Sequence, residues 1–428
     1  MELIEGDDLV LISLVPIVTG SGHNMRIYSL ARALRQIDPN LELEVYLGSL
    51  QTIFTPMFEE IGVRVIDMSP KQAVDHSKHS HLSDFLNWKT MLEDYLSPTF
   101  YNSQRILRLT RLFLESRPDV VVADYDFSAL AAADIARIPS VLITERYNFT
   151  ITGITDDELT NAGFEVHTDE LKDVRIVLNQ LFEKLASSTA YVLTDKPFVE
   201  QIDRDTLAEE LMESGKMKFV GPMIRPIDKE FNNYAVRESF GIKESEFLVV
   251  ATMGGTSMFR ENMLAMQEAY IQTFESLKRQ IPNARMILIA RENVEVPDGI
   301  ICLTYVPNWI PLLRAANVLL AHPGWITVTE VSALGVPTVF LLSSAKEYHE
   351  LEAYRRLELL GYRIQMGRDV NGLTEHILQL HDPSEKDKLL IAYRKVAPDA
   401  NGALRAAELI VQAAETGITG RPEIVSTP

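Results

Sequence analysis

Along the chain, short apolar runs alternate with amphipathic stretches. "LVLISLV" at 9–15 is followed by "MRIYSLARALRQI" and "ELEVYLG", and the rhythm returns in "DVVVADY", "ALAAADIAR" and "SVLITE". Strands this short, rich in Val, Ile and Leu and separated by helix-length segments, predict a parallel sheet covered on both faces. From about 153 to 215 the pattern changes to acidic amphipathic stretches such as "ELKDVRIVLNQLFEKLAS", which predict helices packed on that unit before its last strand. A polar segment, "IDKEFNNYAVRESFGI", then carries no apolar periodicity, and alternation restarts with "FLVVATM", "RMILIA", "GIICLTYV", "NVLLAH" and "PTVFLL". The pattern therefore predicts a doubly wound α/β domain at 1–225, a linker at 226–240, a second such domain at 241–405, and a closing helix and loose tail at 406–428.

Length and charge sharpen this picture. A chain of 428 residues exceeds the roughly 250–300 at which single cores stop growing, so two domains and a cleft are expected. With 46% hydrophobic and 24% charged residues the chain is neither disordered nor membrane-spanning in composition, and no run reaches the roughly 20 apolar residues a membrane helix needs. The acidic N-terminus is the opposite of a secretory leader, which predicts a cytoplasmic protein. A net charge of −19 repels nucleic acid and anionic lipid, so no nucleic-acid partner is expected. The one cysteine, Cys302, lies in an apolar strand-like run and reads as a packing residue.

In open α/β sheets the ligand sits beyond the carboxyl ends of the strands, so chemistry is sought there. After the first strand, "TGSGHNMR" places glycines that expose backbone amides at a helix start. The third glycine of the dinucleotide fingerprint would fall at Met25, so a nicotinamide or flavin is not expected. The loop instead supplies His23, a group that titrates near neutrality. Asp124 ends a strand on the same edge, and a carboxylate bonded to one ring nitrogen would fix the tautomer of His23 and raise its basicity. Asp126 is the alternative partner, and a carboxylate here could instead cap the helix that starts near Ser128.

The second half repeats the logic. "VVATMGGTSMF" runs from a buried strand through Gly254 and Gly255 to Thr256 and Ser257, a phosphate cradle at a helix start. In "HPGWITVTEVSALG", His322 ends a strand, Pro323 and Gly324 shape a turn, and the next helix carries Thr327 in its first turn, suited to a second phosphate with His322 as donor. Glu330, three residues after Thr327, shares that helix face, and a carboxylate there suits ribose hydroxyls. Two phosphates and a ribose make a nucleoside diphosphate.

"HPGWITVTEVSALGVPTVFLL" matches His-x-Gly-Trp-x-Ser/Thr-x-x-Glu followed by Gly-Val-Pro, and so resembles the nucleotide-sugar motif of GT-B glycosyltransferases such as the UDP-glycosyltransferases. It is also similar to the lipid II-forming N-acetylglucosaminyltransferases. The resemblance implies two Rossmann-like doubly wound domains facing a cleft, the first binding acceptor and the second a UDP- or dTDP-sugar. His322, Gly324, Trp325 and Thr327 would meet the donor diphosphate, Glu330 the ribose, Gly255, Thr256 and Ser257 the phosphates, and Val306 with Asn308 the base. Arg225 would neutralise the leaving diphosphate. His23 would deprotonate an acceptor hydroxyl with support from Asp124, in an inverting reaction that needs no metal or other cofactor.

One segment departs from the family pattern. Where relatives carry an acidic residue and Gln, then Asn-Ala, this chain has "AKEYHELEAYRRLELLG". One register puts Tyr348 and His349 at the sugar-reading pair and the other puts Lys346 and Glu347 there, so Glu347, His349 and Glu350 are the candidates. The N-terminal loops carry neither a basic cluster nor a membrane-docking face, which favours a small-molecule or natural-product acceptor over a lipid. A nucleotide-sugar hydrolase of the same fold and a non-catalytic auxiliary subunit are the alternatives. "DHSKHSH", with His76, His79 and His81, reads as a loop rather than a metal site. Glu145 and Arg146, after "SVLIT", sit on the productive edge, to face the acceptor or to form an ion pair.

Overall fold

The computed structural model describes residues 9–18, 21–69, 85–225, 227, 230–253, 260–290, 294–304, 306, 308–347 and 350–419. Seven strands build the first sheet: β1 (Leu11–Pro16), β2 (Glu42–Leu47), β3 (Arg64–Asp67), β4 (Val120–Asp124), β5 (Ser140–Ile143), β6 (Tyr191–Thr194) and β7 (Met217–Phe219). Six build the second: β8 (Phe247–Thr252), β9 (Ala284–Ile289), β10 (Ile300–Leu303), β11 (Val318–Ala321), β12 (Thr338–Leu342) and β13 (Arg363–Met366). Their spatial orders are β3-β2-β1-β4-β5-β6-β7 and β10-β9-β8-β11-β12-β13. Both sheets thus reverse direction beside their first strand, and every pairing in them is parallel. The reversal opens a crevice at the carboxyl ends of β1 and β4, and likewise of β8 and β11, where a ligand can sit.

Burial on both faces explains the near-continuous apolar runs. Along β4, Val121 and Ala123 point into one core while Val120 and Val122 point into the other. The run "YVLT" of β6 is short enough to escape the sequence pattern between two helices, so the acidic helical region contains one strand and precedes another.

Five helices position the site: α1 (Ser21–Ile37), α2 (Phe127–Ala136), α3 (Trp325–Leu334), α4 (Leu351–Leu360) and α5 (Gly402–Thr419). The expected linker holds a further helix, Asn233–Ser239. Its buried anchor is Arg237, which donates to the carbonyl of Ala315, to Asn317 Oδ1 and to the carbonyl of Glu246, while Val236 and Phe240 pack partly buried against the second core. That fixes the segment to the second domain, and a periodicity of apolar residues could not have revealed it.

The last helix returns to the first domain. Ala406, Ala407, Ile410, Ala413 and Ala414 of α5 are buried in the core that covers β1 and α1. Their spacing is that of one helical face, and burial of Ile410 alone contributes about 2 kcal/mol. Gly402 opens the helix against the backbone of Gly221 and Pro222, where an added Cβ would lie 2.2 Å from the carbonyl oxygen of Gly221. Only glycine fits that contact.

Candidate active site

The site forms where the carboxyl ends of the two sheets meet. Gly22, at the start of α1, lies so close to α3 that a Cβ would stand 3.0 Å from Ile326 Cγ1. The missing side chain lets the two helix starts approach across the cleft.

On the first domain's side, α1 begins two residues before His23, so the imidazole occupies the first turn. Its Nδ1 lies 2.9 Å from Asp124 Oδ1 at the end of β4. Asp124 is fully buried, and an ionised carboxylate only accepts, so Nδ1 carries the proton and Nε2 is left with its lone pair. The helix cap is a different carboxylate: Asp126 accepts from the backbone N–H of Ala129 at the start of α2 and pairs with Arg105. Tyr125, between the two acids, has φ +54, an uncommon conformation for a residue with a side chain, and its ring stacks on that of His23. Two residues thus hold the imidazole plane.

Arg26 and Glu145 complete the cluster. Arg26, one turn beyond His23, is buried, and both its Nη atoms donate to Glu145 Oε2 at 2.9 Å. Its Nη1 also lies 3.6 Å from Asp124, and its Nε lies 3.8 Å from Asp195. Glu145 Oε1 stands 3.8 Å from His23 Nε2. Burial alone pulls the His23 pKa down, but the charges of Asp124 and Glu145 and the hydrogen bond to Asp124 outweigh it and Arg26 together, so the net shift is upward. Asp195 is pushed up to about 6 by burial and by the neighbouring Glu145 and Asp124, against the pull of Arg26. His23, Asp124 and Glu145 could each offer one ligand atom within 4.8 Å of the others. The Arg26 guanidinium already supplies countercharge to both carboxylates there, which leaves less for a cation to do.

On the second domain's side, His322 follows β11 and donates from Nε2 to Glu347 Oε2 at 3.1 Å, while Ser343 donates to Glu347 Oε1 at 2.8 Å. The Gly324 N–H closes a tight turn on the His322 carbonyl, and no atom of the described residues stands within 4 Å of where a Gly324 side chain would begin. Trp325 and the half-buried Thr327 form the first turn of α3, whose free N–H groups point out of the helix start. Glu330 is 1% exposed and fully engaged: Arg225 donates to both its oxygens, at 2.8 and 3.1 Å, and Trp309 Nε1 donates to Oε2 at 2.8 Å. Arg225 and Glu330 are therefore brought together, as partners of each other. Val306 is half-buried against the second core, and Asn308 accepts from the N–H of Ile310 at the start of the helix Ile310–Ala315. Gly255, Thr256, Ser257 and His349, and the tract with His76, His79 and His81, lie outside the described residues.

Several residues of the cleft went unread in the sequence. Lys196, after β6, is buried, donates to Glu352 at 2.5 Å and sits 4.8 Å from the centre of the Trp325 ring. Arg356 of α4 donates to both oxygens of Asp203, to the carbonyl of Pro197 and to Glu352. Arg146 and Glu350, both candidates in the sequence, meet at 3.4 Å in an ion pair. These pairs cross from one domain to the other, and the only signal for Lys196 was the placement of "TDKP" after a strand.

Two parallel doubly wound sheets meeting at such a cleft define the GT-B class, and the chain has this fold. It aligns over 95% of its length with the glycosyltransferase of kitacinnamycin, covering 99% of that chain at 17% identity and a TM-score of 0.62. It aligns equally well, at a TM-score of 0.62 and 13% identity over 97% of this chain and 98% of that one, with a UDP-N-acetylglucosamine 2-epimerase from Listeria monocytogenes. No family model matches. In sequence the chain is similar to an uncharacterized glycosyltransferase of Methanopyrus kandleri, 25% identical over 222 residues, or 51% of this chain and 55% of that protein. It is also 23% identical over 417 residues to a UDP-N-acetylglucosamine–N-acetylmuramyl-(pentapeptide) pyrophosphoryl-undecaprenol N-acetylglucosamine transferase of Leuconostoc citreum, covering 93% of this chain and 98% of that one. The chain thus spans about half the length of the first of these relatives and nearly all of the second. No described helix is long and apolar enough to cross a membrane.

Proposed function

We propose that the protein transfers a sugar, with inversion, from a UDP- or dTDP-sugar to an acceptor hydroxyl, with His23 as the general base and Asp124 as its support. The observation that carries this reading is the 2.9 Å contact between His23 Nδ1 and a fully buried carboxylate, made at the same sheet edge that faces α3. Asp124 holds the ring with Nε2 unprotonated. That nitrogen takes the proton of the acceptor O–H as its oxygen attacks the anomeric carbon, and the bond from that carbon to the diphosphate breaks with its electron pair leaving on the nucleotide. The helix start at Trp325–Thr327 and His322 face the charge that develops on the leaving group. Their N–H groups offer the stabilisation a metal ion would otherwise give. Arg225 and Glu330 face each other until a nucleotide enters, and the ribose hydroxyls would take over bonds from Arg225 to Glu330.

A soluble acceptor fits the strongly negative chain, while the Leuconostoc relative's name specifies a lipid-linked one, so both belong in the assay. The test is a panel of UDP- and dTDP-sugars with product sugars resolved and nucleotide release followed, with and without small-molecule and lipid-linked acceptors. Acceptor-dependent release supports transfer. Release in water alone would make the protein a hydrolase, and a converted sugar with no release would make it an epimerase. Binding without turnover would make it an auxiliary subunit.

A further inference from the structure

Glu347 stands in the segment where the family pattern reads the donor sugar, yet its side chain is turned away from that task. It is completely buried, and both carboxylate oxygens already accept hydrogen bonds, Oε1 from Ser343 and Oε2 from His322. Its own backbone is fixed in a turn, with its N–H on the Ser344 carbonyl and its carbonyl on the Glu350 N–H. We propose that Glu347 is a positioning residue that acts through His322, fixing the ring so that Nδ1 is the donor presented to the diphosphate of a bound nucleotide sugar. This rests on the donor reading above.

The proton count of the ring decides which nitrogen can donate. With Nε2–H given to Glu347, Nδ1 is the ring nitrogen left for a ligand. In a neutral ring that nitrogen would carry a lone pair and repel a phosphate oxygen; in the imidazolium both nitrogens donate. Glu347 therefore favours the charged form of His322 that an anion needs, whereas Asp124 fixes the tautomer of His23, so that in its neutral ring Nε2 holds the lone pair that takes a proton.

The surroundings of His322 agree. Burial pulls its pKa down, but the hydrogen bond to Glu347 and the charges of Glu350 and Glu347 carry it above the ordinary value. Glu350 faces Arg146 and Lys196 from the first domain, and Tyr270 of the helix Arg260–Gln280 stands buried within the field of Glu347, its hydroxyl held neutral far above the usual range. Because the folded-state value of His322 is raised, its charge persists to higher pH and is lost only as pH climbs through that raised value.

The experiment measures the dissociation constants of UDP-N-acetylglucosamine and UDP-glucose from pH 5.5 to 8.5 for the wild type, Glu347→Gln, His322→Gln and the double variant. The diphosphate of these probes is doubly esterified, so its own charge does not change over that range. Loss of a hydrogen bond from a charged donor corresponds to about tenfold in affinity. For the wild type, affinity falls about tenfold as pH rises through the His322 titration, which is followed separately by the imidazole NMR signal that disappears in H322Q. E347Q moves both the titration and the fall to lower pH, so its deficit is about tenfold at pH 7.5 and under threefold at pH 5.5. H322Q removes the pH dependence, and E347Q adds nothing to it.

An E347Q deficit equal at every pH overturns the proposal, as does a change in sugar preference without a shift in the pH curve. A wild-type pH dependence that survives in H322Q also overturns it, whether or not E347Q folds. If the wild type binds neither probe at any pH, the donor reading fails and this inference with it. If it binds both and the pH curve ignores Glu347, only the inference fails.

Discussion

Replacing Asp124 by Asn tests the base at the centre of the proposed reaction. The carboxylate is fully buried and its Oδ1 accepts from His23 Nδ1 at 2.9 Å, while Oδ2 has no hydrogen-bond partner among the described residues. An amide nearly preserves the shape and removes the charge. A hydrogen bond between a charged and a polar group is worth about 1.5–3 kcal/mol, which at 1.36 kcal/mol per decade predicts a loss of about 10- to 150-fold in kcat/KM at pH 8. The sign of the pH effect follows from the same contact. Asp124 helps raise the pKa of His23, and a base works only when unprotonated, so wild-type activity falls as pH drops through that raised value. In Asp124→Asn the acid limb moves to lower pH, and the two profiles converge below pH 6. Initial rates of nucleotide release at saturating donor and acceptor well below its KM, from pH 5 to 9, give the kcat/KM profiles, and calorimetric titration with nucleotide gives binding. Activity within twofold of wild type at pH 8 with an unmoved acid limb would refute the dyad. A loss in nucleotide affinity as large as the loss in rate would also refute it, since Asp124 stands across the cleft from the donor side.

Other outcomes follow from the same geometry. Glu330→Ala should raise the nucleotide dissociation constant about tenfold with little change in kcat, and an unchanged constant would mean that Glu330 only braces Arg225. Arg356→Met strands the buried Asp203 carboxylate and should lower unfolding stability by about 3–5 kcal/mol in denaturant titration; a loss under 1 kcal/mol would show that the interdomain network contributes little. Gly402→Ala gains up to about 1 kcal/mol of helix propensity but drives a methyl into the Gly221 carbonyl, an overpacking cost of about 1–3 kcal/mol, so the melting temperature should fall rather than rise.

The parts of the site legible in the sequence are those where a motif sits on a strand end. Asp124 ends an apolar strand, His322 follows one, and His23 lies in the first turn of the helix after one, and the parallel pattern alone places such residues on one edge. Arg26 was not legible, because an arginine one turn into an amphipathic helix looks like a solvated face until Asp124, Glu145 and Asp195 are seen to surround it. Lys196, Asp203 and Arg356 were hidden for the same reason: their partners are about 150 residues away in the chain and belong to the other domain. The pairing of Arg225 with Glu330 shows the converse, two residues correctly placed near one ligand whose attraction for each other no motif encodes. The helix at 233–239 and the strand β6 were missed because one is seven residues long and anchored by a buried cation, and the other is four residues long.

The return of α5 to the first domain makes that domain discontinuous in the chain. The polypeptide crosses between the two halves once on leaving β7 and again on arriving at Gly402, so the second half hangs on two neighbouring strands of backbone. Two tethers side by side form a hinge with an axis, which permits rocking and resists swivelling. A first half expressed alone as residues 1–225 would lack one wall of its own core, whereas the second half, 230–400, would lack from its core only Val199 and the Ile202 packed on it. β1 and α5, far apart in sequence, are thus folded as parts of the same unit.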